Sequence, residues 1–365
     1  MKILMINTVS TDKNGITNVI INIIENCKDS SVHFDLVSIN PPEEIFYNIV
    51  NNNGGNIYVI ERKLKNAFGY IEKLKNLIKN NSYDIVHIHG NSHTTILELI
   101  AAKRAKCKVR IVHAHSTSCN NIKIHNLLTP LFDKLCTHRM ACGNGAGEFM
   151  HGKHSFLVFN NAIDVNRFAY NCNNRMEIRK LYNMTDKIVI GNVAGFVEVK
   201  NQIFLIKMMS ELMKIDKRYV LMLIGEGYLL EDIKNKAKIL GISDNVIFVG
   251  GTNEVHKYLS ACDVIMMPSL FEGLPLALIE QQANGLCCIV SDRITYEADK
   301  TGNLIFLSID EGCNKQWIET LQNIDFSIDR QKISNESINK IKMSGYSIEE
   351  EVSKLINYYL ESVSA

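Results

Sequence analysis

The sequence has little proline and little tryptophan. It contains five prolines and one tryptophan in 365 residues, and apolar residues make up 46% of it. This composition excludes a disordered tail or a proline-rich scaffold, because such chains cannot bury enough apolar surface to fold. The length is too great for one ordinary core and predicts two domains of about 150 to 200 residues.

The chain also lacks a cysteine framework and a long apolar run. Its ten cysteines show no even framework and no metal-ligand spacing, which is typical of a reducing compartment. The opening residues, MKILMINTVS, lack the apolar stretch of a signal peptide, and no segment reaches the roughly 18 apolar residues of a membrane span. We therefore expect a cytoplasmic protein.

The net charge is only +1, but it is unevenly distributed along the chain. Residues 1–170 carry 19 Lys and Arg against 13 Asp and Glu, a balance of +6, so the remainder carries −5. Much of the excess lies in segments 61–80 and 103–110, which are either solvated surface or a contact with an anionic surface such as the cytoplasmic leaflet. Aromatic residues do not interleave with these basic stretches, and we expect no nucleic-acid partner.

Apolar strand-like segments alternate with helix-length patterns along the chain. The first strand, KILMINTV, precedes a helix whose apolar residues recur at three- and four-residue spacing from Ile16 to Cys27. A polar segment over 160–186 interrupts the alternation, which restarts at KIVIGNVAG. This pattern indicates βαβ units and predicts an α/β protein with two Rossmann-like halves and a hinge near residues 165–185.

The segment LFEGLPLALIE follows the strand DVIMMPS and places Glu272 and Glu280 eight positions apart. Pro275 suits the first helical turn, where its missing N–H is no loss, and the free amides of that turn attract anions. One carboxylate beside this anion site and another about a turn deeper would suit a ligand that carries both phosphate and hydroxyl groups. The alternative interpretation is that Glu272 caps the helix and Glu280 is a solvated surface charge.

Two His-x-His pairs end neighbouring strands, in DIVHIHG and RIVHAHST. They contain His87, His89, His113 and His115, and the two-residue period of a strand directs each pair to one side of the sheet. Four imidazoles could in principle bind a metal, but no acidic cluster and no His-x-x-x-His accompany them. We expect mostly core or hydrogen-bonded histidines and predict no metal site.

Two loops offer contacts for a nucleotide. Gly15 lies where the first strand turns into a helix, and it permits close approach of the backbone to a phosphate. The segment lacks a full G-x-G-x-x-G, so it is weak evidence for a dinucleotide. The glycines of GEG (225–227) are expected to form a strand-to-helix turn, and we expect the loop VIFVGGTN, with Thr252, to face a base.

The segment PSLFEGLPLALIEQQANGLCCIVSD resembles the E-x7-E segment of the retaining glycosyltransferases of family 4, the glycosyl transferases group 1 domain, and especially members that build bacterial exopolysaccharides and capsules. The segments FNNAIDVNRF and ACGNGAGEFMHG are also similar to family segments. The resemblance implies a GT-B fold, in which two Rossmann-like domains hold a nucleotide-sugar in an interdomain cleft. It predicts an acceptor-binding domain over 1–168, a nucleotide-sugar domain over 169–345 and a C-terminal helix over 346–365 that returns to the first domain.

The resemblance further implies retaining, metal-independent transfer from a nucleotide-diphosphate sugar, expected to be UDP-linked, without a cofactor. The expected acceptor is a glycan or an undecaprenyl-diphosphate-linked sugar in surface polysaccharide biosynthesis, with peripheral contact at the inner face of the cell membrane. By resemblance, His115 and Glu272 are the catalytic residues and Glu280 holds the ribose hydroxyls. The other expected donor-binding residues are Gly15, Lys200, Asn201, Thr252, Gly273, Leu274 and Leu276.

One departure from the family pattern bears on activity. Relatives usually carry Gly-Arg five residues before the lysine, where this chain has Ala194 and Gly195. Losing the arginine would weaken leaving-group stabilisation by about ten- to a hundredfold unless another cation substitutes. The alternatives are therefore a catalytically weak or inactive GT-B partner protein and, further from the pattern, a sugar-nucleotide 2-epimerase or a metal-dependent hydrolase built on the His-x-His pairs.

Overall fold

A computed structural model describes residues 1–12, 14–62 and 66–364 of the chain. They form two compact units, which we call the first unit (Met1–Ala162 with Ile348–Ala365) and the second unit (Ile163–Ser347). The boundaries between the units lie at 162/163 and 347/348, whereas the sequence predicts boundaries at 168/169 and 345/346.

Strands and helices alternate through both units. The strands are β1 (Lys2–Asn7), β2 (His33–Ser38), β3 (Ile57–Val59), β4 (Ile85–Gly90), β5 (Val109–Ala114), β6 (His138–Ala141), β7 (Leu157–Val158), β8 (Ile188–Val193), β9 (Tyr219–Ile224), β10 (Val246–Gly250), β11 (Val264–Met267), β12 (Cys287–Ser291) and β13 (Leu304–Leu307). The helices are α1 (Gly15–Asn26), α2 (Glu44–Asn52), α3 (Ala67–Asn81), α4 (Ile96–Arg104), α5 (Ile122–Leu135), α6 (Asn144–His151), α7 (Cys172–Leu181), α8 (Gln202–Ile215), α9 (Leu230–Ile239), α10 (Val255–Ala261), α11 (Leu276–Ala283), α12 (Asn314–Gln322), α13 (Arg330–Met343) and α14 (Ile348–Ser364).

The first unit is built on a parallel sheet of seven strands in the order β3-β2-β1-β4-β5-β6-β7. Helix α1 buries the apolar stripe that the sequence predicts, from Ile16 to Ile24, against one face of this sheet. Helix α14 packs on the same face and buries Leu355 and Tyr359 in the same core. Helix α14 therefore forms part of the hydrophobic core of the first unit.

The second unit is built on a parallel sheet of six strands in the order β10-β9-β8-β11-β12-β13. Apolar clusters cover both faces, and the only tryptophan, Trp317, is fully buried in one of them. The polar segment 160–186 contains α7, whose Arg179 pairs with Asp263 at the start of β11. The sheet is buried on both faces, as its continuous apolar strands predict.

Both sheets reverse their strand order at one place, between β1 and β4 in the first unit and between β8 and β11 in the second. The loops that leave two such strands diverge to opposite faces and open a crevice at their carboxyl ends, where α/β proteins bind ligands. Among the described residues, no helix is both long enough and apolar enough to cross a bilayer.

Candidate active site

The strand reversal of the second unit brings together two loops that are far apart in sequence. Strands β8 and β11 pair in parallel, with Ile190 opposite Val264 and Gly191 opposite Ile265. The loop after β8 leads to Lys200 and Asn201, and the loop after β11 leads to Glu272. Because parallel strands end at the same edge, the two loops leave the sheet side by side.

Hydrogen bonds fasten these loops to one another. The backbone N–H of Leu270 donates to the carbonyl oxygen of Val199 at 2.8 Å. The side chain of Asn201 donates from Nδ2 to the carbonyl oxygen of Pro268 at 3.1 Å. Asn201 has a left-handed backbone conformation (φ 52°) and lies between a 3-10 turn and α8, so it changes the direction of the chain. Its side chain also holds the loop after β11.

An ion pair between the Lys200 ammonium and the Glu272 carboxylate also joins the loop after β8 to the loop after β11. The two side chains are 24% and 14% exposed, so water screens this pair less than it screens a pair on the open surface. Glu272 also forms an isolated parallel bridge with Ile294, which follows β12. The carboxylate of Glu272 therefore lies at a point that three loops hold in place.

The helix after Glu272 begins without a cap. Helix α11 starts at Leu276, one residue later than the sequence predicts, because Pro275 is the N-cap residue and has an extended backbone. Among the described residues, no side chain accepts a hydrogen bond from the N–H groups of Leu276 and Ala277, so the alternative that Glu272 caps this helix is wrong. The N–H of Leu278 donates to the carbonyl oxygen of Pro275 at 3.0 Å, but the two N–H groups before it have no acceptor within the helix and remain available to an anion. Gly273 is exposed and Leu274 is partly exposed just before them.

The side-chain carboxyl of Glu280, on the first turns of α11, is partly buried and accepts no hydrogen bond from any described residue. Burial raises the pKa of its carboxyl to about 7, and the positive charge of Arg167 opposes this rise. The alternative that Glu280 is a solvated surface charge is therefore wrong. A carboxyl group in this condition gains from a ligand that donates hydrogen bonds to it.

Arg167 is a component of this site that the sequence analysis did not single out. Its guanidinium donates from Nη2 to the carbonyl oxygen of Asn253 at 2.6 Å, and its charge acts on Glu280. In the neighbouring loop, Thr252 Oγ1 accepts a hydrogen bond from the N–H of Glu254 at 3.0 Å. Arg167 lies within the family-like segment FNNAIDVNRF, but nothing in that segment indicates which loop it contacts.

Gly195 lies in the loop after β8, where relatives usually carry arginine. Its carbonyl oxygen accepts a hydrogen bond from Gln202 Nε2 at 2.9 Å. A Cβ atom added at Gly195 would meet only the carbonyl oxygen of Glu226, at 3.4 Å, which is an ordinary contact. The backbone therefore leaves room for a side chain at this position.

The glycines of GEG serve the backbone of this same loop. A Cβ atom at Gly225 (φ +146°) would lie 2.1 Å from the carbonyl oxygen of Ala194, and one at Gly227 (φ +156°) would lie 2.4 Å from that of Phe196. Both positions thus require glycine because the chain after β8 packs directly on them. This agrees with the strand-to-helix turn that the sequence predicts.

In the first unit, Gly15 begins α1 and is exposed. The side chain of Asn14 caps the helix, because its Oδ1 accepts from the N–H groups of Ile16 and Thr17, both at 3.1 Å. The N–H groups of Ile16 and Thr17, which the sequence predicts to meet a phosphate, therefore already have an acceptor. A Cβ atom at Gly15 would meet nothing within 4 Å, so the fold itself does not require glycine there.

His115 follows β5 and is partly exposed. Its Nε2 lies 2.9 Å from Nδ1 of His89, within hydrogen-bond distance, and burial lowers its pKa to about 3. The ring is therefore neutral near pH 7. It can donate or accept a hydrogen bond, but it does not supply a positive charge.

Comparison with known proteins assigns the chain to a family. Residues 174–301 match the family described as Glycosyl transferases group 1, and residues 13–143 match Glycosyltransferase Family 4. EpsF of Bacillus subtilis (strain 168), whose name places it among the glycosyltransferases, is 31% identical over 95% of this chain and 94% of its own length. The chain belongs to the glycosyltransferases. An Escherichia coli relative of this glycosyltransferase, named UDP-Gal:alpha-D-GlcNAc-diphosphoundecaprenol alpha-1,3-galactosyltransferase, is 26% identical over 80% of this chain and 78% of its own.

Solved structures establish the fold of this glycosyltransferase. Anabaena HepE (Alr3699), determined in complex with UDP, superimposes with a TM-score of 0.77 over 99% of this chain and all of that chain, at 14% identity. The glycosyltransferase WaaG of lipopolysaccharide biosynthesis superimposes with a TM-score of 0.63 over 98% of this chain and 99% of its own, at 14% identity. The GT-B fold predicted from the sequence is confirmed.

The raised pKa of Glu280 predicts a pH-dependent effect of its removal. The folded state holds the Glu280 proton more tightly than the unfolded state, whose pKa is near 4.5. Burial of the Glu280 carboxyl therefore lowers the free energy of unfolding little below about pH 4.5. The destabilisation grows as the pH rises from about 4.5 to about 7. We expect Glu280→Gln to be more stable than the wild type at pH 8 by about 1–3 kcal/mol and close to it at pH 5.

Urea unfolding at the two pH values measures this difference. Glu297→Gln, which removes an exposed carboxylate near the same edge of the sheet, serves as the control and should show no such pH dependence. If the free energy of unfolding depended on pH equally in the two variants, the buried environment assigned to Glu280 would be contradicted.

Proposed function

We propose that this glycosyltransferase transfers a sugar, with retention of configuration and without a metal ion at the diphosphate, from a UDP-sugar to a glycan or lipid-linked acceptor in surface polysaccharide biosynthesis. The observation that carries the proposal is the Lys200–Glu272 ion pair beside the uncapped start of α11. The UDP in the HepE structure and the UDP-sugar in the name of the Escherichia coli relative support the choice of donor.

The donor diphosphate binds Lys200 and the amides at the start of α11, contributed by Gly273, Leu274 and Leu276. A hydrogen bond to a charged group contributes about 1.5–3 kcal/mol, so one ammonium and two or three amides supply a large share of the binding free energy. These groups are already in position because hydrogen bonds join the loops that carry them. No Asp-x-Asp motif lies in a suitable loop, which supports assigning the counter-charge to Lys200.

The nucleoside binds the remaining groups of the second unit. Ribose hydroxyls donate to Glu280, whose carboxyl lacks donors among the described residues, and the base lies against the loop of Thr252. Asn201 positions the Glu272 loop through Pro268. Gly15 in the first unit lets the donor approach the backbone closely.

Transfer breaks the bond between the anomeric carbon and the diphosphate oxygen and forms a bond from that carbon to the acceptor oxygen on the same face. The departing diphosphate takes the acceptor proton, so no separate base is needed. Glu272, held by Lys200, contacts the positively polarised sugar ring, and the neutral ring of His115 hydrogen-bonds the sugar or the acceptor. Lys200 and the helix amides stabilise the charge that develops on the leaving group.

The acceptor binds the first unit, and this unit contacts the inner leaflet of the membrane. The excess of positive charge over residues 1–170 suits a diphosphate or anionic lipid. Helix α5 adds an exposed apolar stripe of Ile124, Leu127 and Leu131, which are 44%, 77% and 40% exposed. The printed name of the Escherichia coli relative supports an undecaprenyl-diphosphate-linked acceptor.

Lys200→Met should weaken UDP binding about 10- to 100-fold, because it removes the charged partner of the diphosphate. Isothermal titration calorimetry in EDTA measures this, with GDP, ADP and CDP as competing bases. The matched control is Lys207→Met, an exposed lysine on α8 that should change UDP affinity less than twofold.

Several outcomes of this experiment would contradict the proposal: unchanged UDP affinity in Lys200→Met, UDP binding that requires added Mg²⁺, or preference for another nucleotide. A donor-turnover assay separates the catalytically weak alternative, because the backbone admits a side chain at Gly195. Given both a UDP-sugar and an undecaprenyl-diphosphate-linked sugar, the native protein should transfer the sugar and release UDP. A silent native protein that Gly195→Arg activates would favour the alternative.

The membrane contact predicts sedimentation with phosphatidylglycerol vesicles at low salt and release at high salt. Leu127→Glu should reduce the bound fraction at least about fivefold, since burying one leucine contributes about 1.5–3 kcal/mol. Ile239→Glu in the second unit is the control, because Ile239 is 76% exposed. No binding at low salt, or equal losses in the two variants, would count against the contact.

A further inference from the structure

A group of buried histidines lies on the neighbouring strands β4 and β5 of the first unit, in the core of its sheet. His87 and His89 are on β4 and His113 is on β5, and all three are fully buried. Each of the three offers a ring nitrogen, and these nitrogens all lie within 4.8 Å of one another. We call this group the histidine cluster. The proposed transfer chemistry assigns it no role.

The sheet itself enforces this proximity. His89 is the direct partner of His113 in the β4–β5 register, and His87 lies two residues before His89, so the three side chains project from one face. The ring centroids of His87 and His89 are 4.3 Å apart, and those of His89 and His113 are 5.1 Å apart. Strand geometry, not flexible side chains, thus fixes the cluster.

Some ring nitrogens of the histidine cluster have hydrogen-bond partners and others have none. His87 Nδ1 lies 2.5 Å from the hydroxyl oxygen of Tyr359, and His89 Nδ1 lies 2.9 Å from Nε2 of His115. Among the described residues, Nε2 of His87, Nε2 of His89 and both ring nitrogens of His113 have no partner. A buried polar atom without a partner costs about 1–3 kcal/mol, and four such atoms in one place require an explanation.

We propose that the histidine cluster binds one divalent transition-metal ion of the zinc class, through Nε2 of His87, Nε2 of His89 and a ring nitrogen of His113. Imidazole nitrogen suits zinc, nickel, cobalt and copper, whereas magnesium and calcium require oxygen ligands. Metal-bound histidines usually donate their other N–H to an outer partner, and His87 and His89 both have one on Nδ1. Water completes the coordination of the ion.

Metal binding requires the rings to turn as well as to close, because the His87 ring is stacked with those of His89 and His113 at interplanar angles of 26° and 12°. Nitrogens at about 2.0–2.1 Å from a tetrahedral ion are about 3.4 Å apart, compared with separations of up to 4.8 Å here. Among the described residues, neither a carboxylate nor a thiolate joins the cluster, so it binds the ion by imidazole alone.

An ion in the cluster also sets the proton position on His115. Coordination of His89 through Nε2 leaves its proton on Nδ1, which then donates to His115 Nε2. His115 must accept that bond and carry its own proton on Nδ1. This consequence rests on the proposed function, in which His115 contacts the reacting groups; the metal site does not depend on it.

The test is the metal content of untagged full-length protein, measured by plasma mass spectrometry after incubation with Zn²⁺ and removal of the excess. We expect about one zinc per chain, a rise in Tm of about 5 °C at saturating zinc, and visible absorption typical of tetrahedral Co²⁺ on substitution. His113→Asn should reduce zinc affinity at least about tenfold. His154→Asn, which removes an exposed histidine of the same unit, should retain it.

Wild-type protein that binds neither Zn²⁺ nor Co²⁺, or His113→Asn that keeps the metal, would overturn the proposal; bound water would then be the partner of the orphaned nitrogens. If His113→Asn does not fold, X-ray absorption of the wild-type zinc protein decides, because three imidazole ligands are expected and fewer would refute the site. Nitrogen-15 spectra of His115 in the zinc-bound protein should report the proton on Nδ1, and a proton on Nε2 would contradict this consequence. Metal content does not depend on sugar transfer, so failure of this proposal and failure of the proposed function are distinguishable.

Discussion

The parallel pairing of β8 with β11 is the constraint on which the proposed donor site depends. It places the loop of Lys200 beside the loop of Glu272, although 72 residues separate them. The ion pair and two hydrogen bonds then fix the loops at the start of an uncapped helix. A positive charge, a negative charge and free amides are thereby held within one crevice of the second unit, before any ligand arrives.

Burial decides protonation in both units, and in opposite directions. It raises the pKa of the Glu280 carboxyl to about 7 and lowers that of the His115 imidazole to about 3, since each loses its charged form when water is removed. Glu280 is therefore a group whose desolvation a ligand hydroxyl can offset, at some cost to the stability of the free protein. His115 is a neutral hydrogen-bonding group, and Lys200 is the cation of the proposed donor site.

The sequence predicted the alternation of strands and helices well, because parallel strands buried on both faces form continuous apolar runs and α1 has a clear apolar stripe. The E-x7-E spacing around Pro275 also predicts an anion site at a helix start, which stays a prediction. What it could not predict depends on contacts distant in sequence. Arg167 acts on Glu280 from 113 residues away, Asn14 occupies two amides beside Gly15, and the orphaned nitrogens of His87, His89 and His113 are visible only once β4, β5 and α14 are packed.

The most direct test of the account is a crystal structure of the protein with a bound UDP-sugar. The account predicts diphosphate oxygens within about 3.2 Å of Lys200 Nζ and of the first amides of α11, with the ribose hydroxyls on Glu280 and the sugar ring beside Glu272. A UDP-sugar bound away from residues 272–280, with the Lys200–Glu272 pair and the α11 terminus untouched, would contradict it.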